Sequence, residues 1–464
     1  MRTLDVIVVG AGIGGLSTAL TLAGDGHRVT VLDAIKEFAE VGGGIRIPPN
    51  AYKLATHWGV DFTRIRKDVS LGNRFVRWND AKVLCEVPFD DIGEGGGIEK
   101  TYGAPYHFVH RADLVEGLRR AAEELYRGNI TILTNTRVVG YDFHKPSVRT
   151  ATGEEYTGDL IICADGIKSL GRDAINGGRI VPVDTGDVAY RILVPGPRDP
   201  RTSHRTMGNA LDGSHPLRGG ELYNIIIDIT HRTDLGSPLG DADWKASTDI
   251  NTGLIQRFTG WCPAVQRICC MAGECVKWKL VELEGPLGRW VDESGSVAVL
   301  GDAAHPMMPT LGGPGAAQVM EDAAALRYAL SSHLSTPTSL SSCIPPALTL
   351  YQTLRAPRAS YITSNTQILQ EWLHLPDGPA QEARDALMAL GDSEENPIFW
   401  ASGVRRDWLF GWEVGDHAKA IHAREEEVEN IRKGIPKFPP LPPREASVYP
   451  GKNLRAKLGM AEAT

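Results

Sequence analysis

The sequence predicts an α/β fold with a parallel sheet, a second layer that is mostly β, and helices towards the C-terminus. Three observations support this prediction. The chain opens on an apolar strand pattern that leads into a glycine-rich turn, and two later apolar runs, 160–166 and 296–302, end in the same way. Separated strand patterns with long polar loops occupy 187–275. Helical periodicity then dominates 316–330 and 347–390.

The N-terminal strand, turn and helix pattern predicts a dinucleotide-binding unit. Its turn reads GAGIGG, in which Gly10 permits the tight turn, Gly12 lets the backbone approach a pyrophosphate, and Gly15 lets the helix pack close to the sheet. Asp33 follows roughly 20 residues later, where a carboxylate can accept a hydrogen bond from a ribose 2′-hydroxyl and would repel a 2′-phosphate. These residues therefore predict bound FAD or NAD(H).

Composition limits the partners that the protein can have. The chain of 464 residues exceeds a typical domain, so a cofactor domain plus further structure is expected. Its net charge of −8 is spread without a basic patch, which argues against nucleic acid and against an anionic membrane surface. No apolar run approaches the ~20 residues that span a bilayer, and the first strand begins without a signal sequence. A cytoplasmic protein with no membrane contact is expected.

Seven cysteines are an odd number at irregular spacings. Four of them fall within 262–275, but they lack CxxC spacing and nearby histidines. We therefore predict buried reduced thiols and no metal site.

The succession of patterns predicts four regions. Pro357 and Pro376 are expected to kink or divide the helices of the last third, and 331–346 is predicted to be a surface loop. The predicted regions are a discontinuous cofactor-binding domain (1–75, 100–182 and 290–360), a β-rich substrate domain (76–99 and 183–289), a helical region (361–430) and a Pro-rich extended tail (431–464).

Three buried strands end in glycine-containing turns, at Gly10, at Asp165-Gly166 and at Gly301-Asp302. In an open α/β sheet such ends lie along the ligand crevice, so one dinucleotide could contact all three. Asp165 and Asp302 each have a second interpretation, in which the carboxylate only caps the helix that follows.

Six segments, spread along the chain to about residue 360, resemble one enzyme family. That family comprises the FAD-dependent aromatic hydroxylases similar to p-hydroxybenzoate hydroxylase, and the resemblance is greatest to its salicylate hydroxylase-like branch. It implies a Rossmann-type FAD-binding domain with an interleaved, mostly β substrate domain and C-terminal helices. The matching segments are Gly10–Gly15, Gly44–Asn50, His110–Leu114, Cys163–Gly166, Gly301–Pro306 and Tyr351–Arg358.

The resemblance also implies roles for cofactor-binding residues. Asp33 would hold the adenosine ribose, Arg111 would reach the phosphate and ribityl region of FAD, and Asp302 would hydrogen-bond the ribityl chain. Asp165 would position both FAD and NAD(P)H. The predicted cofactor-binding residues are Gly10, Gly12, Gly15, Asp33, Gly44, Arg46, Arg111, Asp165, Asp302, Gly315 and Ala316.

A helix that begins near Gly315 has a further predicted role. Reduced flavin carries negative charge at N1 and the C2 carbonyl, and a helix N-terminus directed there stabilises that charge. The sequence departs from the family here. The family usually reads Gly-Gln-Gly or similar before Ala-Asn-Gln, whereas here Gly313-Pro-Gly precedes Ala316-Ala-Gln, and the stretch from Pro309 is one residue longer.

The β-rich segment carries the predicted substrate side. By the resemblance, Arg191 and Tyr223 face the flavin across the substrate, and Arg191 can hold a phenolate or carboxylate through charge-assisted hydrogen bonds. The alternatives are a surface ion pair for Arg191 and a core ring for Tyr223. His305 and Pro306 are predicted near the isoalloxazine, with a structural turn histidine as the alternative. Arg46 and Arg218 are secondary substrate candidates.

The resemblance implies a monooxygenase that inserts one oxygen atom from O2 into an electron-rich aromatic ring, a phenol or phenolic acid, through a flavin C4a hydroperoxide. Only one dinucleotide fingerprint is present, so NAD(P)H would bind transiently as a co-substrate. Epoxidation of an indole, dearomatisation of a phenol, a flavin oxidase or dehydrogenase, and a noncatalytic flavin-binding protein stay open as alternatives. A homodimer is also left open.

Overall fold

The computed structural model describes residues 2–38, 42–89, 97–196, 215–230, 245–249, 258–271, 274–309, 314–335 and 339–417. The predicted tail and most of the lengthened loop before Gly315 lie outside these ranges. No helix within them is long and apolar enough to cross a membrane.

Among the described residues, most strands come before residue 283 and the two longest helices follow it. The strands are β1 Asp5–Val9, β2 Arg28–Leu32, β3 Gly44–Ile47, β4 Lys67–Val69, β5 Gly72–Val76, β6 Val83–Pro88, β7 His107–His110, β8 Ile130–Leu133, β9 Val138–Asp142, β10 Ser147–Thr150, β11 Glu155–Thr157, β12 Leu160–Cys163, β13 Val183–Pro195, β14 His215–Leu217, β15 Leu222–Thr230, β16 Lys245–Asp249, β17 Glu274–Glu282 and β18 Val297–Val299. The helices are α1 Ile13–Gly24, α2 Pro49–His57, α3 Gly97–Tyr102, α4 Arg111–Leu125, α5 Leu170–Ile175, α6 Pro263–Met271, α7 Pro314–Leu334, α8 Leu340–Leu373, α9 Pro379–Met388 and α10 Gly403–Phe410.

The central sheet is parallel and has the strand order β18-β12-β1-β2-β8. Its middle strands are almost entirely apolar and buried, as expected for a parallel sheet that is covered on both faces. The three strands that end in glycine-containing turns, β18, β12 and β1, are neighbours, so their carboxyl ends lie side by side. This architecture confirms the predicted fold class.

A second, antiparallel sheet has the order β14-β15-β13-β17-β16. Its longest pairing joins β13 to β15, from Asp187 opposite Thr230 to Pro195 opposite Leu222. Successive side chains on these strands point to opposite faces. One face packs on a separate apolar core, and the other faces the central sheet's ligand edge. Smaller sheets, β3-β7-β4, β9-β10-β11 and β5-β6, complete the β structure of the described residues.

The C-terminal helices differ from the sequence prediction at two prolines. Helix α8 is continuous over 34 residues and contains Pro357, so this proline does not divide it. Packing along α7 buries apolar side chains of α8. The free energy gained by this burial exceeds the free energy lost with the hydrogen bond that a proline removes. Pro376 lies between α8 and α9, as expected. The predicted loop at 331–346 is shorter than expected, because α7 extends to Leu334 and α8 begins at Leu340.

Buried charges link α7 and α8. Arg355 of α8 donates from Nε to Asp322 Oδ1 and from Nη1 to Glu321 Oε2, both at 2.7 Å. Arg358 donates to Glu321 Oε2, also at 2.7 Å. The side chains of this network are almost completely buried. The network therefore satisfies two carboxylates that would otherwise be very costly to bury.

Asp322 also holds the turn after β18. Its Oδ2 accepts a hydrogen bond from the Gly301 N–H at 2.9 Å and lies 2.6 Å from His305 Nε2. Burial alone would raise the pKa of Asp322, but His305 and Arg355 hold that pKa at about 2. Asp322 is therefore ionised at neutral pH and ties the turn to α7 and α8.

Arg355→Met tests this network. The substitution leaves the carboxylates of Glu321 and Asp322 buried with one cation fewer, so we expect the free energy of unfolding to fall by about 3–5 kcal/mol. The matched control is Arg64→Met, because Arg64 pairs with Glu124 where both side chains are about half exposed, and little change is expected there. Chemical denaturation measures both variants, and equal effects would contradict the role assigned to the network.

Glu282 gives the stability a dependence on pH. This buried carboxyl ends β17 beside α8 and accepts a hydrogen bond from Gln367. Burial raises the pKa of Glu282 to about 7, in spite of the Gln367 bond, and the nearby Asp187 adds to the rise. The folded protein therefore keeps this proton in a pH range where the unfolded chain has lost it.

Stability is accordingly expected to fall as the pH rises from about 4.5 to about 7, because the unfolded state binds fewer protons than the folded state over that range. Glu282→Gln removes the titrating group, so the loss of unfolding free energy between pH 5 and pH 8 should shrink by about 1–3 kcal/mol. Glu284→Gln, which alters an exposed carboxyl two residues further on, is the control. Denaturation curves at pH 5 and pH 8 give the unfolding free energy of wild type and both variants. The same loss in Glu282→Gln as in wild type would refute the assignment of this pH dependence to Glu282.

Candidate active site

A cavity of about 420 Å³ lies between the carboxyl edge of the central sheet and the facing side of the second sheet. It gathers residues from both ends of the chain. The predicted site residues that line it are Gly12, Gly44, Arg46, Arg111, Arg191, Asp302, Gly315 and Ala316.

The glycine turn after β1 divides into packed and open positions. Gly10 has φ of +108°, and a Cβ there would lie 2.3 Å from the carbonyl oxygen of Ala164. A Cβ on Gly15 would lie 1.8 Å from the carbonyl oxygen of Gly10. A Cβ on Gly12 would meet nothing within 4 Å, and this residue lines the cavity. Gly10 and Gly15 thus serve the fold, and Gly12 leaves room for a ligand.

The first turn of α1 faces the same cavity. Gly12 is the N-cap and supplies no side-chain cap, while Ile13 and Gly14 line the cavity. Unpaired N–H groups and the helix dipole make such an end a binding site for phosphate. This geometry fits the pyrophosphate of a dinucleotide.

Asp33 is fixed beside the glycine turn. Its Oδ2 accepts a hydrogen bond from the Ala11 N–H at 2.5 Å, and its Oδ1 accepts one from the Ile35 N–H at 2.9 Å. The residue is not part of the cavity lining. Its carboxylate is thus held at the outer side of the turn, away from the charged residues of the cavity.

Three cations and two carboxylates project into the cavity. Asp302 can be reached from the cavity, although protein surrounds it. This burial raises the pKa of Asp302, and His305 and Arg111 act in the opposite direction. The excess of arginine favours an anionic ligand. The charged residues of the lining are Arg46, Arg111, Arg191, Asp228 and Asp302.

The N-terminus of α7 contributes the floor of the cavity. Helix α7 begins at Pro314, and Pro314, Gly315 and Ala316 all line the cavity. Residues 310–313, where the loop is longer than in the family, lie outside the described ranges. The helix end thus faces the site, as a negatively charged ring system would require.

Asp165 is oriented towards its own helix. Its Oδ2 accepts hydrogen bonds from the Leu170 N–H at 2.9 Å and the Gly171 N–H at 3.2 Å. Burial raises the pKa of its carboxyl, and hydrogen bonds to Ser169 and to backbone N–H groups oppose that rise. Its chain neighbours line the cavity, but Asp165 does not. The observed bonds are those of the helix-capping alternative.

Arg191 occupies the wall formed by the second sheet. It lies opposite Ile226 in the β13–β15 pairing, and both residues line the cavity. Its guanidinium lies 5.8 Å from the ring centre of Trp278. Within the described residues Arg191 makes no hydrogen bond and no ion pair. Burial lowers the pKa of Arg191, Asp228 partly offsets this, and an arginine stays charged under such conditions.

Tyr223 does not reach the cavity. Its side chain is 3% exposed and lies in an apolar core with Ile192, Ile225 and Ile227. The alternation along β15 places residue 223 on the face opposite that of residues 226 and 228. The structure therefore corresponds to the core alternative for Tyr223, and not to a ring across the substrate.

His305 and Pro306 line a different cavity, of about 110 Å³, next to α8. His305 stacks on Trp290 with ring centres 5.2 Å apart, in addition to its contact with Asp322. This is the structural turn histidine of the alternative interpretation. The main cavity is instead lined by Met307, Met308 and Pro309, the three residues that follow Pro306.

Two charged or titratable residues in the lining were not predicted. His215 is buried and stacks on Phe108, with ring centres 4.3 Å apart and planes at 14°. Asp228 lies on β15. The period of two along β15 places Asp228 on the same face as residue 226, but the sequence alone does not show that this face lines the cavity. Arg218, a secondary substrate candidate from the sequence, does not line the cavity. It pairs with Asp113 at 2.9 Å.

Comparison with known proteins agrees with this geometry. Residues 3–214 match the family model described as FAD binding domain. The chain is 31% identical over 437 residues to the FAD-dependent monooxygenase OpS4 of Beauveria bassiana (strain ARSEF 2860), which covers 90% of this chain and 97% of the relative. It is 29% identical over 425 residues to a 3-hydroxybenzoate 6-hydroxylase of Polaromonas naphthalenivorans (strain CJ2), covering 89% and 97% of the two chains.

A solved structure titled salicylate hydroxylase substrate complex is also similar, with a TM-score of 0.70, 25% identity, and coverage of 90% of this chain and 97% of that one. Fold, cavity and relatives together define a flavin-dependent oxidoreductase. The family can be stated more narrowly. The chain belongs to the FAD-dependent monooxygenases, within the aromatic hydroxylase family. The predicted family, cofactor and enzyme class are thereby confirmed.

The glycine positions allow a direct test of FAD binding. Gly12→Ala places a methyl group in the cavity and against no protein atom, so we expect little change in apoprotein stability. FAD binding should weaken about 5- to 150-fold, from an overpacking cost of about 1–3 kcal/mol in the complex. Gly15→Ala is the matched comparison, since its methyl group would clash with the Gly10 carbonyl and lower the unfolding free energy itself. Flavin fluorescence titration and denaturation of the apoprotein separate the two effects. Unchanged FAD affinity in Gly12→Ala would contradict this placement.

Proposed function

We propose that the protein is an NAD(P)H- and O2-dependent monooxygenase that inserts one oxygen atom into the electron-rich ring of a phenol or phenolic acid. The observation that supports this most directly is Arg191, a charged guanidinium on the cavity wall with no hydrogen bond or ion pair among the described residues. A relative named 3-hydroxybenzoate 6-hydroxylase, similar over 89% of this chain, supports the same substrate class.

Arg191 would bind the anionic oxygen of the substrate. A guanidinium binds a carboxylate or phenolate through short, charge-assisted hydrogen bonds. Its positive charge also favours the ionised form of a bound phenol, and ionisation makes the ring more electron-rich. The residue would thus orient the ring and prepare it for oxygen insertion.

His215 is the proposed proton acceptor. It is the imidazole of the cavity lining, and the Phe108 ring fixes its plane. Neutral imidazole can take a proton from a phenol near neutral pH. His215 would therefore hold the proton that the substrate hydroxyl releases when Arg191 stabilises the phenolate.

The other wall would hold the cofactor. When bound, FAD supplies the redox and oxygen chemistry that no side chain of the chain provides. Arg111 would contact its phosphate or ribityl region, Asp302 would accept a hydrogen bond from a ribityl hydroxyl, and the N-terminus of α7 would stabilise negative charge on the ring system. Apolar lining residues, among them Ile45, Leu300 and Met308, would exclude water.

The proposal retains the division made from the sequence, in which segments 1–75, 100–182 and 290–360 bind FAD and segments 76–99 and 183–289 bind the substrate. NAD(P)H would bind transiently, since the chain has a single dinucleotide fingerprint. Reduction and hydroxylation would then follow one another at the same flavin.

The reaction can be tested with the FAD-loaded protein, NADH or NADPH, and a panel of phenols, phenolic acids and indoles. We expect nicotinamide oxidation that depends on a phenolic compound, and one atom of ¹⁸O from ¹⁸O2 in the product. Substrate consumption without NAD(P)H would instead indicate an oxidase. An epoxidised or dearomatised product would indicate one of the alternative monooxygenase reactions. The absence of an oxygenated product from every compound of the panel would reject the proposal.

Arg191→Met tests the substrate side. Loss of a charged hydrogen-bond donor should weaken binding of an anionic substrate about 10- to 100-fold, corresponding to about 1.5–3 kcal/mol. Arg218→Met is the control, because Arg218 is bonded to Asp113 outside the cavity. Perturbation of the flavin absorbance by added substrate gives the dissociation constants. Equal constants for wild type and Arg191→Met would remove Arg191 from the site.

A further inference from the structure

Asp228 is a carboxylate on the same cavity wall as Arg191, and nothing described above uses it. It lies on β15 opposite Ala189, while Arg191 lies opposite Ile226. Residues at such diagonal positions share one face of an antiparallel pair. Asp228, Ile226 and Arg191 all line the cavity, so the wall presents a carboxylate, an apolar side chain and a guanidinium together.

The charge of Asp228 acts on Arg191 across this wall. Asp228 acts on the pKa of Arg191, opposing the lowering that burial causes. Arg191 nevertheless makes no ion pair within the described part of the chain, and both side chains are half-buried and in contact with the cavity. Because both side chains line one cavity, both can contact the same ligand.

An ionised carboxylate only accepts hydrogen bonds. Its best partner on an aromatic substrate is a neutral donor such as a hydroxyl, and a hydrogen bond of this kind is about twice as strong as one between neutral groups. A second carboxylate on the ring would instead be repelled. A ring held against Ile226 could direct an anionic oxygen to Arg191 and a hydroxyl to Asp228.

We propose that Asp228 is a specificity-determining residue, which selects aromatic substrates that carry a separate hydroxyl beside the anionic group bound by Arg191. The substrate class is then a hydroxylated aromatic monoacid, in preference to an unsubstituted benzoate or an aromatic dicarboxylate. This inference rests on the proposed function. It adds a second contact to the substrate and a physical reason for the exclusion of aromatic dicarboxylates.

The test compares matched ligands on the FAD-loaded protein without NAD(P)H, so that binding is measured apart from turnover. The three hydroxybenzoate isomers are each paired with the dicarboxylate of the same substitution pattern (phthalate, isophthalate and terephthalate), and benzoate serves as reference. Flavin absorbance reports binding. We expect wild type to bind one hydroxybenzoate at least about tenfold more tightly than its matched dicarboxylate and than benzoate.

Asp228→Asn removes the charge with almost no change in shape. It should weaken binding of that hydroxybenzoate about tenfold and reduce or reverse its advantage over the dicarboxylate. Glu221→Gln is the charge-matched control, because Glu221 is exposed in the turn between β14 and β15, outside the cavity. This substitution should leave the ratio of the two dissociation constants unchanged. Asp228→Ser replaces the asparagine variant if that one does not retain FAD, and the same change in ratio is expected.

An unchanged ratio in the Asp228 variants, with wild type still hydroxylating a phenolic substrate, would overturn this inference and leave the proposed function standing. A ratio that changes equally in Glu221→Gln would also overturn it, because the effect would then come from net charge. If wild type neither binds these ligands nor oxygenates any phenolic compound, the proposed function fails and this inference fails with it.

Discussion

The carboxylate of Asp322 determines where the turn after β18 lies. It accepts hydrogen bonds from the Gly301 N–H and from Arg355, and it contacts His305, all in the interior of the protein. A buried charge is tolerated only when its partners are complete, so the turn after β18 has little freedom to move. Asp302, the residue after Gly301, is thereby held at the cavity. A stability network between two helices thus fixes the position of a residue that lines the cavity.

The order of the parallel strands then extends this fixed point into a site. Because β18, β12 and β1 are adjacent, their three turns form one continuous edge, and the edge is made mainly of backbone and glycine. A long cofactor can follow such an edge with few side-chain contacts. The facing wall belongs to β13 and β15 and is made of side chains, with Arg191 and Asp228 among them. The two sides of the cavity thus come from separate sheets, so a substitution on one wall leaves the opposite edge in place.

Much of this arrangement was predictable from local sequence. The turn at Gly10, the two later strand ends and the resemblance of six segments identified the fold, the cofactor and the enzyme family. These features depend on residues close together in the chain and on backbone requirements that few residue types meet. The continuous helix α8 was not predictable, because long-range packing against α7 outweighs the local effect of Pro357.

By itself the sequence determined the glycine turns of a dinucleotide site, since spacing and glycine content encode these turns directly. FAD and the FAD-dependent monooxygenases followed from the resemblance of six segments to that family. Only the tertiary structure decided which side chains line the cavity. A shift of one residue along β15 separates the cavity face from the apolar core, which is why Tyr223 lies in the core while Asp228 lines the cavity. His215 reaches the site through the pairing of β14 with β15 and its stacking on Phe108. Which face of a strand lines the cavity depends on contacts between segments that are distant in the sequence. No local sequence pattern contains that information.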